Sequence, residues 1–192
     1  DVWTFFHSHA FDFSVWEIWG ALVYGGRVVV VPYTITRSPA ELLDLLVRER
    51  VTEPNQTPPA LRSLIEADRR APLPAEALAL RYVIFGGEAL SFETLRPWFD
   101  RHGDARPQLV NMYGITETTV HVSWRPIARE DLEARRGSMI GRAIPDLRID
   151  ILDAELRPVA AGETGEIVVS GAGVSNGYLR RPRLRAERFI DW

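Results

Sequence analysis

The chain has 192 residues, of which 46% are hydrophobic and 26% are charged, and it carries a formal net charge of −3. This composition is typical of a globular domain with an apolar core and excludes a disordered or fibrous chain. The sequence lacks cysteine, which excludes disulfides, zinc–thiolate sites and a cysteine nucleophile, and all 23 basic residues are arginine. The charge is slightly negative and no apolar run approaches the roughly 20 residues that span a bilayer. We therefore expect a cytoplasmic protein with no nucleic acid and no membrane as partner.

The first predicted helix begins at a capping box, because Ser14 is followed three residues later by Glu17 and then by an apolar run. Asp12 and Phe13 would then lie just before the N-terminus of this helix. The β-branched run at 27–31 ends at a proline and predicts a strand that is buried on both faces.

A second capping box, formed by Ser38 and Glu41 with Pro39 at the first helical position, predicts a helix that ends near Arg50. The sequence then predicts strands at 51–55, 80–85 and 108–112 and helices at 59–67 and 91–99. This alternation favours an α/β fold with a parallel βαβ-type sheet flanked by helices.

Beyond residue 119 the pattern changes to short strands at 120–124, 147–152 and 166–170, separated by proline and glycine turns. We therefore predict an α/β subdomain at 1–136 that carries the ligand pockets and a smaller, β-rich subdomain with a partial barrel at 137–192. The glycine string at 171–177 lacks the spacing of a dinucleotide loop, so a structural role is predicted for it.

Ligands of open parallel sheets bind at the carboxyl ends of the strands. Asp12, Asn55, the residues 84–87 and the residues 112–116 all lie at such ends or at a helix N-terminus. In the last of these stretches Tyr113 is suited to stack on a base, Thr116 to bond a phosphate oxygen, and the adjoining Glu117 to bind Mg²⁺. This set predicts a nucleotide site.

Several strings of the sequence occur in an order and spacing that is similar to one enzyme family. They are FDFSVWE at 11–17, GGEAL at 86–90, NMYGITETT at 111–119, and GETGEI at 162–167 followed by Gly171, Gly173, Gly177-Tyr178 and Arg181-Pro182. Together they resemble the adenylation domains of nonribosomal peptide synthetases, in the adenylate-forming superfamily. The resemblance covers essentially the whole chain and implies a fragment of the large N-terminal part of such an enzyme.

The resemblance implies that ATP and Mg²⁺ bind this chain and that an aminoacyl-AMP forms. The aminoacyl group would then pass to the phosphopantetheine thiol of a peptidyl carrier protein, beside condensation domains of the same synthetase. Thr116 would contact the α-phosphate, and Glu117 would hold magnesium. The implied nucleotide-binding residues are Gly87, Glu88, Ala89, Asn111, Tyr113, Gly114 and Thr116.

The same resemblance implies that the aspartate at position 12 binds the α-ammonium group of an amino acid. Asp12 could instead cap the helix, but Ser14 already fills that role in the predicted capping box. The implied substrate-binding residues are Asp12, Phe13, Trp16, Asn55, Ile84, Gly86, Met112, Val120 and His121. This set resembles the signature for L-threonine, whose hydroxyl would bond Asn55 and His121.

The family's glycine-rich phosphate loop, its ribose-binding aspartate, its hinge and its lysine-bearing C-terminal domain do not occur in this sequence. We therefore expect a truncated chain that does not adenylate by itself. Two alternatives stay open: an acyl-CoA or aryl-acid ligase, against which Asp12 argues, and a non-catalytic module that binds nucleotide or supports neighbouring domains. The role of His7 is open between packing and a place beside the phosphates, and His9 and His102 are predicted at the surface.

Overall fold

The computed structural model describes residues 1–133 and 137–190. The strands are β1 (Val2–Phe5), β2 (Arg27–Val30), β3 (Asn55–Gln56), β4 (Tyr82–Phe85), β5 (Gln108–Tyr113), β6 (Ser123–Ile127), β7 (Arg142–Ala143), β8 (Leu147–Leu152) and β9 (Glu166–Gly171). The helices are α1 (Phe13–Leu22), α2 (Tyr33–Thr36), α3 (Pro39–Arg48), α4 (Pro58–Arg70), α5 (Arg96–His102) and α6 (Pro182–Arg188). Short 3₁₀ turns cover Ala75–Ala77, Phe92–Leu95, Thr116–Thr118 and Arg129–Leu132.

The main sheet has the strand order β3-β4-β5-β6-β7, in which β3, β4 and β5 are parallel and the pairs β5–β6 and β6–β7 are antiparallel. The parallel pair β1–β2 lies beside it, joined by a bridge between Trp3 and Glu53. β8 and β9 form a separate antiparallel pair. The predicted α/β class, with parallel strands alternating with helices and a β-rich part after them, is therefore confirmed.

Side chains that alternate along the parallel strands divide between two apolar cores. Val83, Phe85 and Leu109 belong to the larger core, which is completed by leucines of α3 and α4 and by aromatic residues of α5. Ile84 and Met112 belong to a smaller core that also contains residues of α1 and of the loop after β5. The smaller core lies on the side of the sheet where the predicted substrate residues converge.

The predicted capping box of the first helix is wrong. Asp12 occupies the N-cap position of α1 and Ser14 lies inside the first turn, and no side chain makes a capping hydrogen bond there. Glu17 is fully buried, and its carboxylate instead accepts hydrogen bonds from the backbone N–H groups of Phe6 and His7. The acid therefore ties α1 to the segment after β1, which a local sequence pattern does not encode.

The strand at 27–31 is observed as β2, but the prediction that it is buried on both faces is wrong. β2 pairs with β1 in a two-stranded sheet, and Val30 is 67% exposed. Exposed apolar side chains continue onto α1 and α2, where Trp19 and Tyr33 are also exposed. A run of valines indicated a strand correctly, but it did not indicate which of its faces other elements cover.

The remaining boundaries differ from the predictions by a few residues. Helix α3 begins at Pro39 as predicted, although the N-cap residue Ser38 makes no side-chain capping bond. The strand predicted at 120–124 begins only at Ser123. Thr119 and Val120 have positive φ angles, so the chain is not extended at these two residues. β7 pairs with β6, so the main sheet extends beyond Gly137, and the division of the chain at that residue stays a prediction.

The prediction that His102 lies at the surface is wrong. Its side chain is 4% exposed, and its Nε2 lies 2.8 Å from a carboxylate oxygen of Asp68, which is also buried. The ring also packs against Trp98, with 4.2 Å between ring centroids. His9 is exposed, as predicted.

Across 1–133 and 137–190, no helix has the length and apolar character to cross a membrane.

Candidate active site

The predicted substrate residues come from four separate stretches of the chain that meet at the carboxyl ends of the parallel strands. Asn55 of β3 is the register partner of Ile84 of β4, and β4 in turn pairs with β5, which ends near Met112. Phe13 of α1 and Val120 of the loop after β5 pack against Ile84 and Met112 at these strand ends. This is the position at which ligands bind in open parallel sheets.

The polar groups at the centre of the site belong to Trp16, Asn55 and His121. The Trp16 indole Nε1 donates a hydrogen bond to Asn55 Oδ1 at 2.9 Å. The His121 ring packs edge-on against the rings of Trp16 and Phe13, at centroid distances of 5.2 and 5.1 Å. These contacts bring together residues that are widely separated in sequence, as the predicted pocket requires.

Two buried polar atoms in this cluster have no hydrogen-bond partner in the part of the chain that the structure describes. They are Asn55 Nδ2 and His121 Nε2, on residues that are 0% and 5% exposed. Buried polar groups without partners are rare in folded proteins, because each loses its bonds to water. A polar ligand that bonded both atoms would remove this penalty.

Gly86 sits against the same two rings. A Cβ placed on it would lie 3.0 Å from His121 Cε1 and 3.1 Å from Phe13 Cε1. A side chain at this position would therefore have to displace the histidine or the phenylalanine. The close approach of the rings to the backbone therefore favours glycine here.

The apolar wall of the site consists of Phe13, Ile84, Met112 and Val120, which pack together in the smaller core and are each buried. Thr119 and Val120 have φ angles of 59° and 70°. β-branched residues rarely adopt this left-handed conformation, and such strain is found at positions that the surrounding fold holds fixed. The strained pair directs Val120 into the apolar wall and places His121 beside Trp16.

Burial lowers the pKa of His121 from 6.5 to about 4, and the negative charge of Asp12 opposes only part of this shift. The imidazole is therefore neutral at physiological pH. In the neutral form one ring nitrogen donates and the other accepts, so Nε2 can bond a hydroxyl group in either direction.

Asp12 connects this cluster to the predicted phosphate site. Its carboxylate oxygen Oδ2 accepts a hydrogen bond from the Thr116 hydroxyl at 2.6 Å. Because Asp12 makes no capping bond to α1, its carboxylate faces the loop after β5 rather than the helix backbone. The residues predicted for the ammonium group and for the α-phosphate are thus in direct contact.

The residues predicted to surround adenine lie on or just after two neighbouring strands, β4 and β5. Gly87, Glu88 and Ala89 form the exposed turn after β4, and Tyr113 is half-buried at the end of β5. Asn111 is buried and donates from Nδ2 to the Met139 carbonyl at 2.8 Å, which fixes that neighbouring segment. Because side chains alternate along a strand, Asn111 and Tyr113 lie on the opposite face of β5 from Met112.

The loop after β5 packs closely onto itself at Gly114. A Cβ there would lie 2.2 Å from the Val120 carbonyl oxygen, so the residue serves the close approach of two backbone segments. Gly114 therefore has a packing reason that does not depend on nucleotide binding.

Glu117 lies in the 3₁₀ turn next to Thr116, and its Oε1 accepts a hydrogen bond from the Tyr178 hydroxyl. This bond, followed by one from the residue's own backbone N–H, lowers the pKa of Glu117 and favours the carboxylate. No cluster of three or more acidic, histidine or cysteine side chains suited to a metal occurs among the residues described. A single anionic carboxylate beside Thr116, the residue predicted to contact phosphate, fits Mg²⁺, which takes few protein ligands and completes its shell with phosphate and water.

Two side chains that hold this site together, Glu17 and Tyr178, were not predicted as site residues. Glu17 bonds His7 Nδ1 at 3.0 Å as well as the backbone, and His7 stacks on Phe13 with 4.7 Å between centroids. Tyr178 bonds Glu117 from a distant segment. Glu17 lies in the string FDFSVWE and Tyr178 in the pair Gly177-Tyr178, and their place in these motifs was the available signal.

Comparison with known proteins gives matches over nearly the whole chain. A family model described as "AMP-binding enzyme" matches residues 1–179. The chain is 57% identical over 190 residues to a dimodular nonribosomal peptide synthase of Bacillus subtilis (strain 168), covering 99% of this chain and 8% of that protein. It is 54% identical over 191 residues to syringomycin synthase SyrB1 of Pseudomonas syringae pv. syringae, covering 100% of this chain and 31% of that protein.

Solved structures show the same likeness. One is holo-PA1221, an NRPS protein containing adenylation and PCP domains bound to a vinylsulfonamide inhibitor. It superposes with a TM-score of 0.81 at 31% identity, over 96% of this chain and 31% of that one. The nonribosomal peptide synthetase FmoA3 gives a TM-score of 0.88 at 27% identity, over 99% of this chain and 20% of that one. The chain thus spans less than a third of each of these four relatives.

Proposed function

Because the chain belongs to the AMP-binding enzyme family, we propose that it is part of an ATP-dependent amino-acid adenylation domain in nonribosomal peptide synthesis. The carboxylate of the amino acid attacks the α-phosphate of ATP, the bond to the β-phosphate breaks, and aminoacyl-AMP and pyrophosphate result. The acyl group then passes to the phosphopantetheine thiol of a peptidyl carrier protein, and AMP leaves. Carrier and condensation domains of the same synthetase are the proposed partners.

The proposed substrate is L-threonine, and the unpaired atoms Asn55 Nδ2 and His121 Nε2 carry this assignment. A threonine side chain has one hydroxyl and one methyl group. The hydroxyl supplies the hydrogen bonds that the two buried atoms lack, and the methyl group fits the wall that contains Ile84, Met112 and Val120. Asp12 binds the α-ammonium group, and a hydrogen bond to a charged group contributes about 1.5–3 kcal/mol.

The proposed nucleotide site follows from the turn after β4 and from β5. Asn111, Tyr113 and Gly114, together with residues 87–89, surround the adenine ring. The Thr116 hydroxyl, which donates to Asp12 in this structure, is well placed to donate to an α-phosphate oxygen instead. Bound Mg²⁺ would supply positive charge that offsets the charge developing on the phosphates, and Glu117 would hold it.

ATP–pyrophosphate exchange tests the substrate assignment in the complete adenylation domain that, on this proposal, contains the chain. A site built to bond a hydroxyl rejects an analogue without it by up to about 10⁴–10⁵, whereas one methylene group changes binding by only about 1–3 kcal/mol. Exchange should therefore be greatest with threonine, weaker with serine, and weakest with valine. Equal or greater exchange with valine or an aromatic amino acid would refute the threonine assignment.

The same assay separates the proposed class of substrate from its main alternative. Exchange driven by fatty or aryl acids that lack an amino group would point to an acyl-CoA or aryl-acid ligase. Asp12→Ala should remove exchange with threonine, because the ammonium group loses its counter-ion. We also propose that the 192-residue chain is inactive by itself, and exchange by the isolated chain would contradict this.

A further inference from the structure

We propose that Tyr178 is a positioning residue for the Glu117 carboxylate, and that the segment 171–178 is a strap that holds this acid in place for a divalent cation. The inference rests on the proposed function, in which Glu117 binds magnesium beside the nucleotide. It gives a role to the glycine string at 171–177, which does not have the spacing of a nucleotide-binding loop.

Three hydrogen bonds join the strap, residues 171–178, to the turn that carries Glu117. The Tyr178 hydroxyl donates to Glu117 Oε1. The Ser175 backbone N–H donates to the Glu117 carbonyl at 2.8 Å. The Thr119 hydroxyl donates to the Gly173 carbonyl at 2.7 Å. Both the side chain and the backbone of the acid are therefore fixed by the same distant segment.

The C-terminal end of the strap is held in place by contacts with α6 and with the residue after it. Gly177 has a φ of +102°, and a Cβ there would lie 2.9 Å from the Cγ and Cδ atoms of Arg185 in α6. The Tyr178 ring packs edge-on against Phe189, with 5.5 Å between the centroids. The phenol is thus held from the α6 side while its hydroxyl points at the acid.

The geometry suits a cation ligand. Magnesium is bound through one or two carboxylates, and groups that hydrogen-bond a ligand orient it for the metal. Tyr178 engages Oε1, so the other carboxylate oxygen of Glu117 would be the one that binds the cation. A free glutamate side chain would lose rotamer freedom on binding the metal, and the strap removes that freedom beforehand.

Binding of Mn²⁺, used in place of Mg²⁺ and followed by electron paramagnetic resonance with ATP present, tests the inference on the chain itself. Tyr178→Phe removes one hydroxyl group and keeps the ring that packs on Phe189. We expect it to raise the Kd for Mn²⁺ about 10- to 100-fold, the range seen when an outer partner of a metal ligand is lost. The affinity for ATP without metal should stay within about twofold of the wild type, because no adenine contact changes.

The matched control is Tyr24→Phe, which removes a hydroxyl from a side chain that is 88% exposed and far from the strap in sequence. It should leave the Kd for Mn²⁺ unchanged. A Tyr178→Phe variant that melts at a lower temperature but binds Mn²⁺ as the wild type does would show a merely structural role and overturn the inference. Tighter binding in that variant would overturn it as well, because the hydroxyl would then compete with the cation.

The outcome for the wild type separates this inference from the function on which it rests. Failure of the wild-type chain with ATP to bind Mn²⁺ would count against the proposed nucleotide site, and the role of the strap would fall with it. Wild-type binding together with an unaffected Tyr178→Phe variant would overturn only the role of the strap.

Discussion

Replacement of Glu17 by alanine should destabilise the chain far more than loss of a helix cap would. The Glu17 carboxylate is fully buried and accepts hydrogen bonds from Phe6 N at 3.3 Å, His7 N at 3.1 Å and His7 Nδ1 at 3.0 Å. Each buried donor left without an acceptor costs about 1–3 kcal/mol. Because three donors lose their acceptor at once, we expect Glu17→Ala to lower the free energy of unfolding by about 3–5 kcal/mol. A capping role would give about 0.5–2 kcal/mol.

Urea unfolding followed by tryptophan fluorescence measures this difference. Glu41→Ala is the matched control, because Glu41 also lies in the predicted capping-box position of a helix but is exposed. We expect the control to change stability by less than about 1 kcal/mol. Glu17→Gln, which keeps one acceptor oxygen, should fall between the two. Equal losses in Glu17→Ala and Glu41→Ala would refute the argument from the buried hydrogen bonds.

Two further predictions concern the ring cluster of the site. The pKa of His121 is lowered in the folded state from 6.5 to about 4, so the unfolded chain takes up this proton first and stability falls as the pH drops through that window. At ~1.36 kcal/mol per pH unit the loss of stability is about 3 kcal/mol. In urea titrations, the free energy of unfolding of His121→Gln should therefore depend less on pH than that of the wild type. An unchanged pH dependence would count against burial as the cause. Gly86→Ala places a Cβ 3.0 Å from His121 Cε1 and should cost about 1–3 kcal/mol in the same assay. Gly137→Ala, whose added Cβ has no atom of the described residues within 4 Å, should be nearly neutral. Equal effects of the two substitutions would show that the rings move aside freely.

The convergence of the site could be predicted because it follows from topology. Parallel strands bring their carboxyl ends to one edge, so Asn55, Ile84 and Met112 had to approach one another once the βαβ pattern was recognised. The motifs then indicated which of the neighbouring residues carry chemistry. Topology therefore predicts where the residues meet, whereas the ligand is predicted from the resemblance to the family.

The hydrogen bonds that hold the site could not be predicted in the same way. Thr116 and Asp12 are 104 residues apart in sequence, and Tyr178 and Glu117 are 61 apart. No periodicity or propensity encodes a contact between two side chains at such separations. The error at Glu17 has the same origin. The local sequence satisfies the capping rule, but the Glu17 oxygens accept hydrogen bonds from the segment after β1 instead.

The short bond between Thr116 and Asp12 has a consequence for the order in which ligands arrive. On the proposed assignment, an ammonium group binds Asp12 and a phosphate binds Thr116, so either ligand breaks the hydrogen bond that joins these two residues. The second ligand then meets a partner that has already been released. Amino acid and nucleotide should consequently each bind more tightly when the other is present, through a single hydroxyl and without movement of any helix.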